Sequence, residues 1–397
     1  MSRTLYLFSA VYPYNLYGDN FLEREVDYLC KEFDSIVVVP YRKEIVNYKE
    51  VPKNTSVLTP ILYSRLGFIL RGIISFPGIK YLLPVFFRQK VFLNKAKFNT
   101  WVKAYTFLNN LNNRKDIRRI GKQLTHKDVC YFYWGKWGNM LSVVWSGKAH
   151  FVSRFHGEWD LWEESSGGYT PLRDKVAESL DFAAFISRKG EAYFNQKYQI
   201  KRTVFAPLGS MDMGVSSKSN DGIVRIFTCS NVIPLKRVPL IFDCINSFSH
   251  NRKVIWTHIG GGADLDALKE KVNSERIETL EVHLLGKKDH SEVIEYYKTH
   301  SIDLFINLST VEGVPVTIME AISCDVPVVA TNVGGVSEIV TDETGVLVST
   351  NPSVDEVVAA MEKALNGEYH PRQLWQQNYN ADKNYSSFVK EIVKLTI

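Results

Sequence analysis

Two glutamates stand eight residues apart in the stretch STVEGVPVTIMEA, residues 309–321. Glu312 lies in a predicted loop after an apolar strand, whereas Glu320 lies among the apolar residues of a predicted helix. Because burying an ionised carboxylate without a partner costs several kcal/mol, Glu320 is expected to bind something. A carboxylate can accept hydrogen bonds from two adjacent hydroxyl groups, which hexoses and ribose both present. The two glutamates therefore indicate a binding site for a sugar or a nucleoside.

The loop between the glutamates has the features of an anion-binding loop. Gly313 allows a ligand to approach the backbone closely, and Pro315 suits the first position of a helix. A helix that begins there directs free N–H groups and the positive end of its dipole towards the ligand, which suits a phosphate. We therefore expect both glutamates and a phosphate-binding helix start to face the same ligand.

These residues belong to a chain in which short β-branched runs alternate with longer helical stretches. Strands are predicted at 4–9, 35–40, 129–133, 150–153, 182–187, 203–207, 224–229, 253–258, 281–285, 304–308, 327–331 and 346–348. Such alternation predicts parallel sheets covered by helices on both faces. The pattern occurs on both sides of a polar stretch, so the 397 residues are interpreted as two α/β domains. Ligands of such sheets bind at the carboxyl ends of the strands, where Glu312 follows its strand.

Composition limits the class of protein. The chain is 45% hydrophobic and 23% charged, which is ordinary for a soluble globular protein. Its cysteines, at positions 30, 130, 229, 244 and 324, form no CxxC pair, so reduced thiols in a cytoplasmic protein are expected. The first apolar run is interpreted as a strand and not as a signal peptide. No apolar run reaches the roughly 18 residues of a transmembrane helix.

The segment from Val51 to Lys115 contains no acidic residue, although the net charge of the whole chain is only +5. Its basic residues alternate with bulky apolar ones such as Phe76, Phe87 and Phe92. Basic residues interspersed with apolar ones favour a face that lies on an anionic membrane surface. A helix pair that packs its apolar sides inward is the alternative, and the apolar content argues against a nucleic-acid patch.

The stretch EGVPVTIME resembles the signature of the family 4 retaining glycosyltransferases, in which seven residues separate two glutamates. The continuation PVVATNVGGVSEIV, residues 327–340, and the turn SNVIPLKRV, residues 230–238, resemble the same family. The resemblance implies the GT-B fold, which has two facing Rossmann-like, doubly wound α/β domains with a cleft between them. It divides the chain into an acceptor-binding domain (1–207), a linker (208–222), a nucleotide-sugar-binding domain (223–370) and a C-terminal helix (371–397) that crosses back to the first domain.

The resemblance also implies roles for individual residues. Glu320 is expected to hold the ribose hydroxyl groups and Glu312 those of the transferred sugar, while Lys236 and Arg237 neutralise the diphosphate. The implied catalytic residues are His156, Lys236, Arg237 and Glu312. The implied donor-binding residues are Gly18, Asn231, Gly286, Gly313, Val314, Pro315, Val316 and Glu320.

The acceptor side is expected around the stretch RFHGEWDLW, residues 154–162. It places His156 after a strand, where the resembling enzymes have a histidine that contacts the transferred sugar. The expected acceptor contacts are Tyr14, Asn15, Trp134, Trp137, Glu158 and Asp160. For the two tryptophans, stacking on an acceptor sugar and simple packing are both open. The D-x-D triplet at 264–266 is interpreted as a helix start, so no metal and no other cofactor is expected.

The resemblance implies a retaining, metal-independent glycosyltransferase that moves a hexosyl unit from a nucleotide-diphosphate sugar, with UDP favoured over GDP. The implied acceptor is a saccharide on a polyprenyl-diphosphate lipid, as in bacterial surface-polysaccharide assembly. We expect the protein to be cytoplasmic and peripheral on the inner face of the cell membrane, held there by segment 51–115, with no nucleic-acid partner. Two alternatives stay open: a sugar-nucleotide epimerase of the same fold, and a non-catalytic nucleotide-sugar-binding module.

Overall fold

The computed structural model describes residues 3–14, 20–42, 50–61, 65–157 and 160–397. The chain forms two compact units, the first of residues 1–206 with 385–397 and the second of residues 207–384. Each unit is built on one sheet whose described strand pairs are all parallel. The predicted fold class, α/β with two doubly wound parallel sheets, is confirmed.

The sheet of the first unit has the strand order β3-β2-β1-β4-β5-β6-β7. Its strands are β1 (Thr4–Ser9), β2 (Ser35–Pro40), β3 (Thr55–Val57), β4 (Val129–Phe132), β5 (His150–Phe155), β6 (Phe182–Phe185) and β7 (Thr203–Phe205). Its helices are α1 (Asn20–Glu32), α2 (Arg65–Gly72), α3 (Leu83–Arg88), α4 (Lys95–Asn113), α5 (Lys115–Gln123), α6 (Leu141–Val144), α7 (Arg173–Ser179) and α8 (Arg188–Lys197). Successive strand residues face opposite sides of the sheet, so Leu7 and Phe8 are buried in different apolar layers.

The sheet of the second unit has the strand order β10-β9-β8-β11-β12-β13. Its strands are β8 (Val224–Cys229), β9 (Val254–Ile259), β10 (Leu280–Leu284), β11 (Leu304–Asn307), β12 (Val328–Thr331) and β13 (Gly345–Val348). Its helices are α9 (Val238–Phe248), α10 (Leu265–Glu275), α11 (His290–Thr299), α12 (Val316–Ser323), α13 (Val354–Asn366) and α14 (Pro371–Leu374), and α15 (Ala381–Val393) follows them. The order reverses at β8, and ligands of such sheets bind beyond the carboxyl ends of the strands at this reversal.

One strand of the described structure is missing from the sequence prediction. Strand β3 spans only Thr55–Val57 and pairs with β2 at the edge of its sheet. Three half-buried or exposed residues carry no apolar alternation, which explains why the prediction missed them.

The stretches predicted as a linker and as a crossing helix have additional contacts. Residues 208–222 lie in the second unit, where the backbone N–H of Ser216 donates to the carbonyl of Cys324 at 2.9 Å. Residues 371–384 also lie there, and the indole of Trp375 donates to the hydroxyl of Ser210 at 2.8 Å. The chain returns to the first unit only at Tyr385, within α15.

The segment predicted to lie on a membrane folds into α2, α3, α4 and short turns between them. Its inner side is buried, with Leu82, Val85 and Leu108 in the core of the first unit. Its outer side carries large apolar side chains that are 37–73% exposed, and we call this set the apolar patch: Leu70, Ile73, Ile74, Phe76, Ile79, Leu83, Phe87, Phe92, Leu93, Phe98 and Val102. Across the described ranges of the chain, no helix is long and apolar enough to cross a membrane.

A fully buried ion pair ties together the parts of the first unit. Arg154 on β5 donates to Glu25 on α1, and neither side chain is exposed to solvent. The second carboxylate oxygen of Glu25 accepts from the hydroxyl of Tyr131 at 2.7 Å. The same guanidinium donates to the carbonyl of Ala206 at 2.6 Å and lies 4.7 Å from the ring centroid of Phe388. One charge pair thus links the sheet, the first helix, the last residue before the second unit and the returning helix.

Replacing Glu25→Gln leaves the Arg154 charge buried without its counter-ion. We expect the free energy of unfolding to fall by about 3–5 kcal/mol, measured by denaturant titration. Glu178→Ala is the matched control, because its pair with Lys175 is about half exposed, and it is expected to cost less than about 1 kcal/mol. Equal losses in the two variants would contradict the central role of the buried pair.

Candidate active site

Glu320 is buried on α12, and its carboxylate has a partner. The residue is 4% exposed, and its Oε1 lies 2.8 Å from Nε2 of His290, the first residue of α11. Helix α12 begins at Val316, with Pro315 in extended backbone as the residue before it, one position earlier than the sequence predicts. The expectation that this glutamate is buried and bound to something holds in the structure, and the bound group is a histidine that the sequence analysis does not single out.

The surroundings of Glu320 are thiol and phenol groups that stay neutral. Burial, together with the nearby Glu320 carboxylate, raises the pKa of the Cys229 thiol above its usual range. The same two causes raise the pKa of the Tyr297 hydroxyl. Since both groups keep their protons at neutral pH, neither acts as a nucleophile, and Glu320 carries the negative charge of this corner.

Glu312 forms an ion pair with Lys236 at the carboxyl ends of β8 and β11. Its Oε1 accepts from Nζ of Lys236 at 2.5 Å and from the amide of Asn307 at 3.4 Å. The Glu312 side chain is 11% exposed and that of Lys236 is 26% exposed, so the pair is reachable from solvent. The two loops are also joined by the backbone N–H of Thr310, which donates to the carbonyl of Leu235 at 2.8 Å. The structure therefore brings together a carboxylate and an ammonium group that the sequence places 76 residues apart.

Arg237 points to a different partner from Lys236. Its backbone has φ 48° and ψ 36°, a left-handed conformation that turns successive side chains apart. Its guanidinium donates to the carbonyl of Thr350, beyond β13, at 2.9 Å. The predicted basic pair is thus divided between two loops, and only Lys236 contacts Glu312.

A pair of glycines holds the backbone of the Glu312 loop. Gly334 has φ +54°, and a Cβ atom there would lie 1.8 Å from the carbonyl oxygen of Glu312. The N–H of Gly335 donates to the carbonyl of Gly313 at 2.7 Å, and Val314 packs beside it. Side chains at these two positions are excluded by contact as well as by conformation, which explains why the chain has Gly-Gly after β12.

Gly334→Ala is expected to displace the Glu312 loop. We expect a loss of at least about 3 kcal/mol in unfolding free energy, because strain and a backbone clash add. Gly222→Ala separates the two causes, since Gly222 has φ +76° but no atom within 4 Å of its missing Cβ. That control is expected to cost about 1–2 kcal/mol. Denaturant titration of both variants measures the difference, and equal costs would refute the steric explanation.

The remaining donor-side predictions fall on loops of the same sheet edge. Asn231 is exposed in the turn after β8, and Gly286 has φ +68° in the turn after β10. The N–H of Gly260, after β9, donates to the carbonyl of Gly286 at 2.9 Å, so the neighbouring turns are joined. Gly313, Val314, Pro315 and Val316 lead from β11 into α12. Gly18 lies outside the described residues.

His156, in the first unit, has a stacked and unsatisfied side chain. Its ring lies 4.5 Å from that of Tyr133 and 4.3 Å from that of Trp134, measured between centroids. The side chain is 9% exposed, and in the described part of the chain neither ring nitrogen has a hydrogen-bond partner. Its Nδ1 lies 3.6 Å from Oδ2 of Asp160, which is beyond hydrogen-bond distance. A nearly buried imidazole with unused nitrogens is suited to contact a polar ligand.

Asp160 organises the loop around His156. Its carboxylate accepts from the backbone N–H groups of Gly135, His156 and Gly157 at 2.9–3.1 Å, and the residue is 1% exposed. The expectation that Asp160 contacts the acceptor therefore needs correction, because its oxygens are buried and already hold the loop. Of the other acceptor predictions, Tyr14 lies in the turn after β1, and Asn15 and Glu158 lie outside the described residues.

The loop after β4 contains a strained turn at Trp137. The N–H of Gly138 donates to the carbonyl of Lys136 at 2.9 Å, and Trp137 between them has φ 67° and ψ −67°. This is the rarer of the two γ-turns, and strain of this kind is concentrated at functional sites. Burial lowers the pKa of Lys136 to about 8, and its ammonium group donates to Ser166. Trp137 is half-buried, whereas Trp134 packs on His156.

The acidic triplet at 264–266 precedes and begins α10. Asp264 occupies the position before the helix without a side-chain hydrogen bond to it, and Asp266 pairs with Lys269 at 2.8 Å. Within the described ranges, no group of three or more His, Cys, Asp or Glu side chains is arranged to hold a metal ion.

Comparison with known proteins identifies a family for the second unit. The family model described as "Glycosyl transferases group 1" matches residues 216–381. The chain is 29% identical over 151 residues to a phosphatidylinositol N-acetylglucosaminyltransferase of Arabidopsis thaliana, covering 38% of this chain and 33% of that protein. It is 28% identical over 137 residues to the O-antigen biosynthesis glycosyltransferase WbnH of Escherichia coli, covering 34% and 37%. The chain matches little more than a third of the length of these curated relatives.

Solved structures resemble the chain over its whole length. The lipopolysaccharide outer core galactosyltransferase WaaB, in its apo form, has a TM-score of 0.66 at 12% identity, covering 98% of this chain and 99% of that one. Sucrose-phosphate synthase from Thermosynechococcus elongatus has a TM-score of 0.66 at 14% identity, covering 99% of each chain. At these identities the likeness shows the fold alone, and it confirms the predicted GT-B fold.

Proposed function

Because residues 216–381 match the group 1 glycosyl transferases, we propose that the protein is a retaining glycosyltransferase acting in glycan or polysaccharide biosynthesis. The donor is a nucleotide-diphosphate hexose, with UDP favoured over GDP, and the acceptor is a saccharide. The observation that carries the proposal is the pair of carboxylates at one sheet edge: Glu320 is buried beside His290, and Glu312 is paired with Lys236.

The donor binds the second unit through these groups. Glu320 accepts hydrogen bonds from the ribose hydroxyl groups, and Glu312 accepts from those of the hexose. Lys236 lies beside Glu312 and meets the diphosphate as a point charge. Arg237 adds a second cation when its guanidinium leaves the carbonyl of Thr350. The free N–H groups at the start of α12 complete the anion site.

The reaction breaks the bond between the anomeric carbon and the diphosphate oxygen and forms a bond from that carbon to the acceptor oxygen. The acceptor hydroxyl gives its proton to the leaving phosphate on the same face of the sugar, which retains the anomeric configuration. Lys236 stabilises the negative charge that develops on the leaving group, and electrostatic stabilisation of this kind is usually the largest catalytic contribution. We propose that these cationic groups suffice without a metal. His156 binds the transferred sugar through its unused ring nitrogens.

Lys236→Ala tests the catalytic proposal. With a panel of UDP- and GDP-hexoses, we expect release of sugar in the absence of acceptor to fall about 100-fold or more, while the fold is kept. Lys269→Ala is the matched control, because Lys269 is exposed in the same unit and pairs only locally with Asp266. Proton NMR of the transferred or released sugar reports whether the anomeric configuration is retained.

Two outcomes of that experiment favour the alternatives. Nucleotide binding without release or transfer from any donor would identify a non-catalytic binding module. Conversion of one nucleotide sugar into its isomer without acceptor would identify an epimerase. A rate that is equal in Lys236→Ala and Lys269→Ala would remove the proposed role of Lys236.

A lipid-linked acceptor at a membrane surface is the finer part of the proposal. The apolar patch lies in a segment without acidic residues, and the exposed basic side chains along it are Lys80, Arg88, Lys90, Lys95 and Lys103. Apolar side chains that enter the acyl boundary and basic ones that meet anionic headgroups act together in peripheral binding. The relatives named for phosphatidylinositol and O-antigen support a glycan acceptor carried on a lipid, for which we propose a polyprenyl diphosphate. The site of action is then the inner face of the cell membrane.

Replacing Phe76, Phe87 and Leu93 together by serine tests membrane binding. We expect cosedimentation with phosphatidylcholine–phosphatidylglycerol vesicles to weaken at least about tenfold, because three exposed apolar side chains leave the bilayer. Val215→Ser is the control, as Val215 is 67% exposed in the other unit. Binding by wild type should fall with added salt and with pure phosphatidylcholine vesicles. Unchanged binding by the triple variant would exclude the patch as the membrane contact.

A further inference from the structure

His290 is the one side chain with a recorded hydrogen bond to the Glu320 carboxylate in the described structure. The two side chains differ in environment, since that of Glu320 is 6% exposed and that of His290 is 60% exposed. The imidazole therefore lies on the solvent side of a buried carboxylate, where a nucleotide would enter. We infer that His290 is a specificity-determining residue of the donor site, which orients Glu320 for the ribose and contacts the nucleoside itself. This inference rests on the proposed function.

The backbone of His290 is held in place by the start of α11. Asp289 and Glu292 form a reciprocal capping box, in which each side chain accepts from the backbone N–H of the other residue. Further along the helix, Tyr297 is buried and the hydroxyl of Tyr296 donates to Thr257 on β9 at 2.8 Å. A capped and packed helix presents the His290 ring at a fixed point, although the ring itself is exposed. Fixed donors of this kind discriminate between ligands better than mobile ones.

A carboxylate can serve the histidine and the ribose at once. Its two oxygens offer about four acceptor positions, and His290 uses one of them on Oε1. The remaining positions, including those on Oε2, are left for the 2′- and 3′-hydroxyl groups of the ribose. An N–H from His290 fixes the plane of the carboxylate, so that both hydroxyl groups are met in one geometry. Removal of this N–H leaves Glu320 in place but frees its rotation about the last side-chain bond.

The loop before His290 places other groups near the nucleoside. Gly286 has φ +68° with open space around it, and Lys288 pairs with Glu292 at 3.0 Å. Because the imidazole is largely exposed to solvent, a flat base can lie against its outer face. His290 thus contributes in two ways: through Nε2 to the carboxylate that reads the ribose, and through its ring face to the base.

The discriminating measurement compares ribonucleotides with their 2′-deoxy counterparts. UDP, GDP and ADP are first screened by thermal unfolding of the full chain, and the nucleotide that raises the midpoint is carried forward. Its dissociation constant and that of the 2′-deoxy form are then measured by calorimetry for wild type, His290→Ala, His290→Gln and Glu320→Gln. His283→Ala is the matched control, because His283 also pairs with a glutamate, Glu281 at 2.7 Å, but on the exposed strand β10.

His290→Ala is expected to weaken binding of the ribonucleotide about tenfold or more and to bring its affinity close to that of the deoxynucleotide. His290→Gln keeps an N–H donor and should restore part of the preference for ribose. His283→Ala should match wild type. Pyrophosphate should bind His290→Ala and wild type equally, which shows that the variant is folded and that the Lys236 side of the site is intact.

The outcomes separate the inference from the function on which it rests. If His290→Ala keeps the wild-type ratio of ribo- to deoxynucleotide affinity while Glu320→Gln loses it, His290 has no part in reading the ribose and the inference is overturned. If Glu320→Gln also keeps the ratio, the ribose contact lies elsewhere and the inference fails with it. If none of the three nucleotides binds wild type, the proposed donor itself is wrong.

Discussion

The first unit depends on a charge pair that water does not reach. Arg154 and Glu25 are fully buried, so each charge needs the other to offset the loss of its hydration. The pair sits two residues before His156 on β5, and the same guanidinium holds the carbonyl of Ala206 and faces Phe388. The strand that delivers the histidine is therefore fixed by the interaction that closes the unit. A change in this pair reaches the site without touching it.

Both units build their loops by the same means, with a carboxylate or a carbonyl as the organiser. In the first unit the carboxylate of Asp160 gathers three backbone N–H groups around His156. In the second, the glycines after β12 let the chain pack directly on the carbonyls of Glu312 and Gly313. Parallel sheets bring such loops to one edge, but the edge becomes a site only when the loops hold one another. The rigid backbone then leaves side chains such as Lys236 free to meet a ligand.

The sequence predicted what depends on residue type and order. The alternation of strands and helices gave the fold class, and Glu312 and Glu320 stood out because carboxylates are rare beside buried apolar residues. The divergence of Arg237 from Lys236 could not be foreseen, since it depends on a left-handed backbone at a residue that is not glycine. The role of Asp160 was hidden because its partners are backbone groups that every residue has. His290 was missed because an exposed histidine at a helix start carries no pattern.

The division of the chain between the units has a consequence for its synthesis. Residues 207–384 form the second unit without interruption, whereas the first unit needs residues on both sides of that stretch. Phe388, Val389 and Ile392 belong to the apolar layer of the first sheet. On the ribosome, every residue of the second unit is therefore made before the first unit receives these side chains. The unit that is begun first is completed last, and until then one face of its sheet lacks its cover.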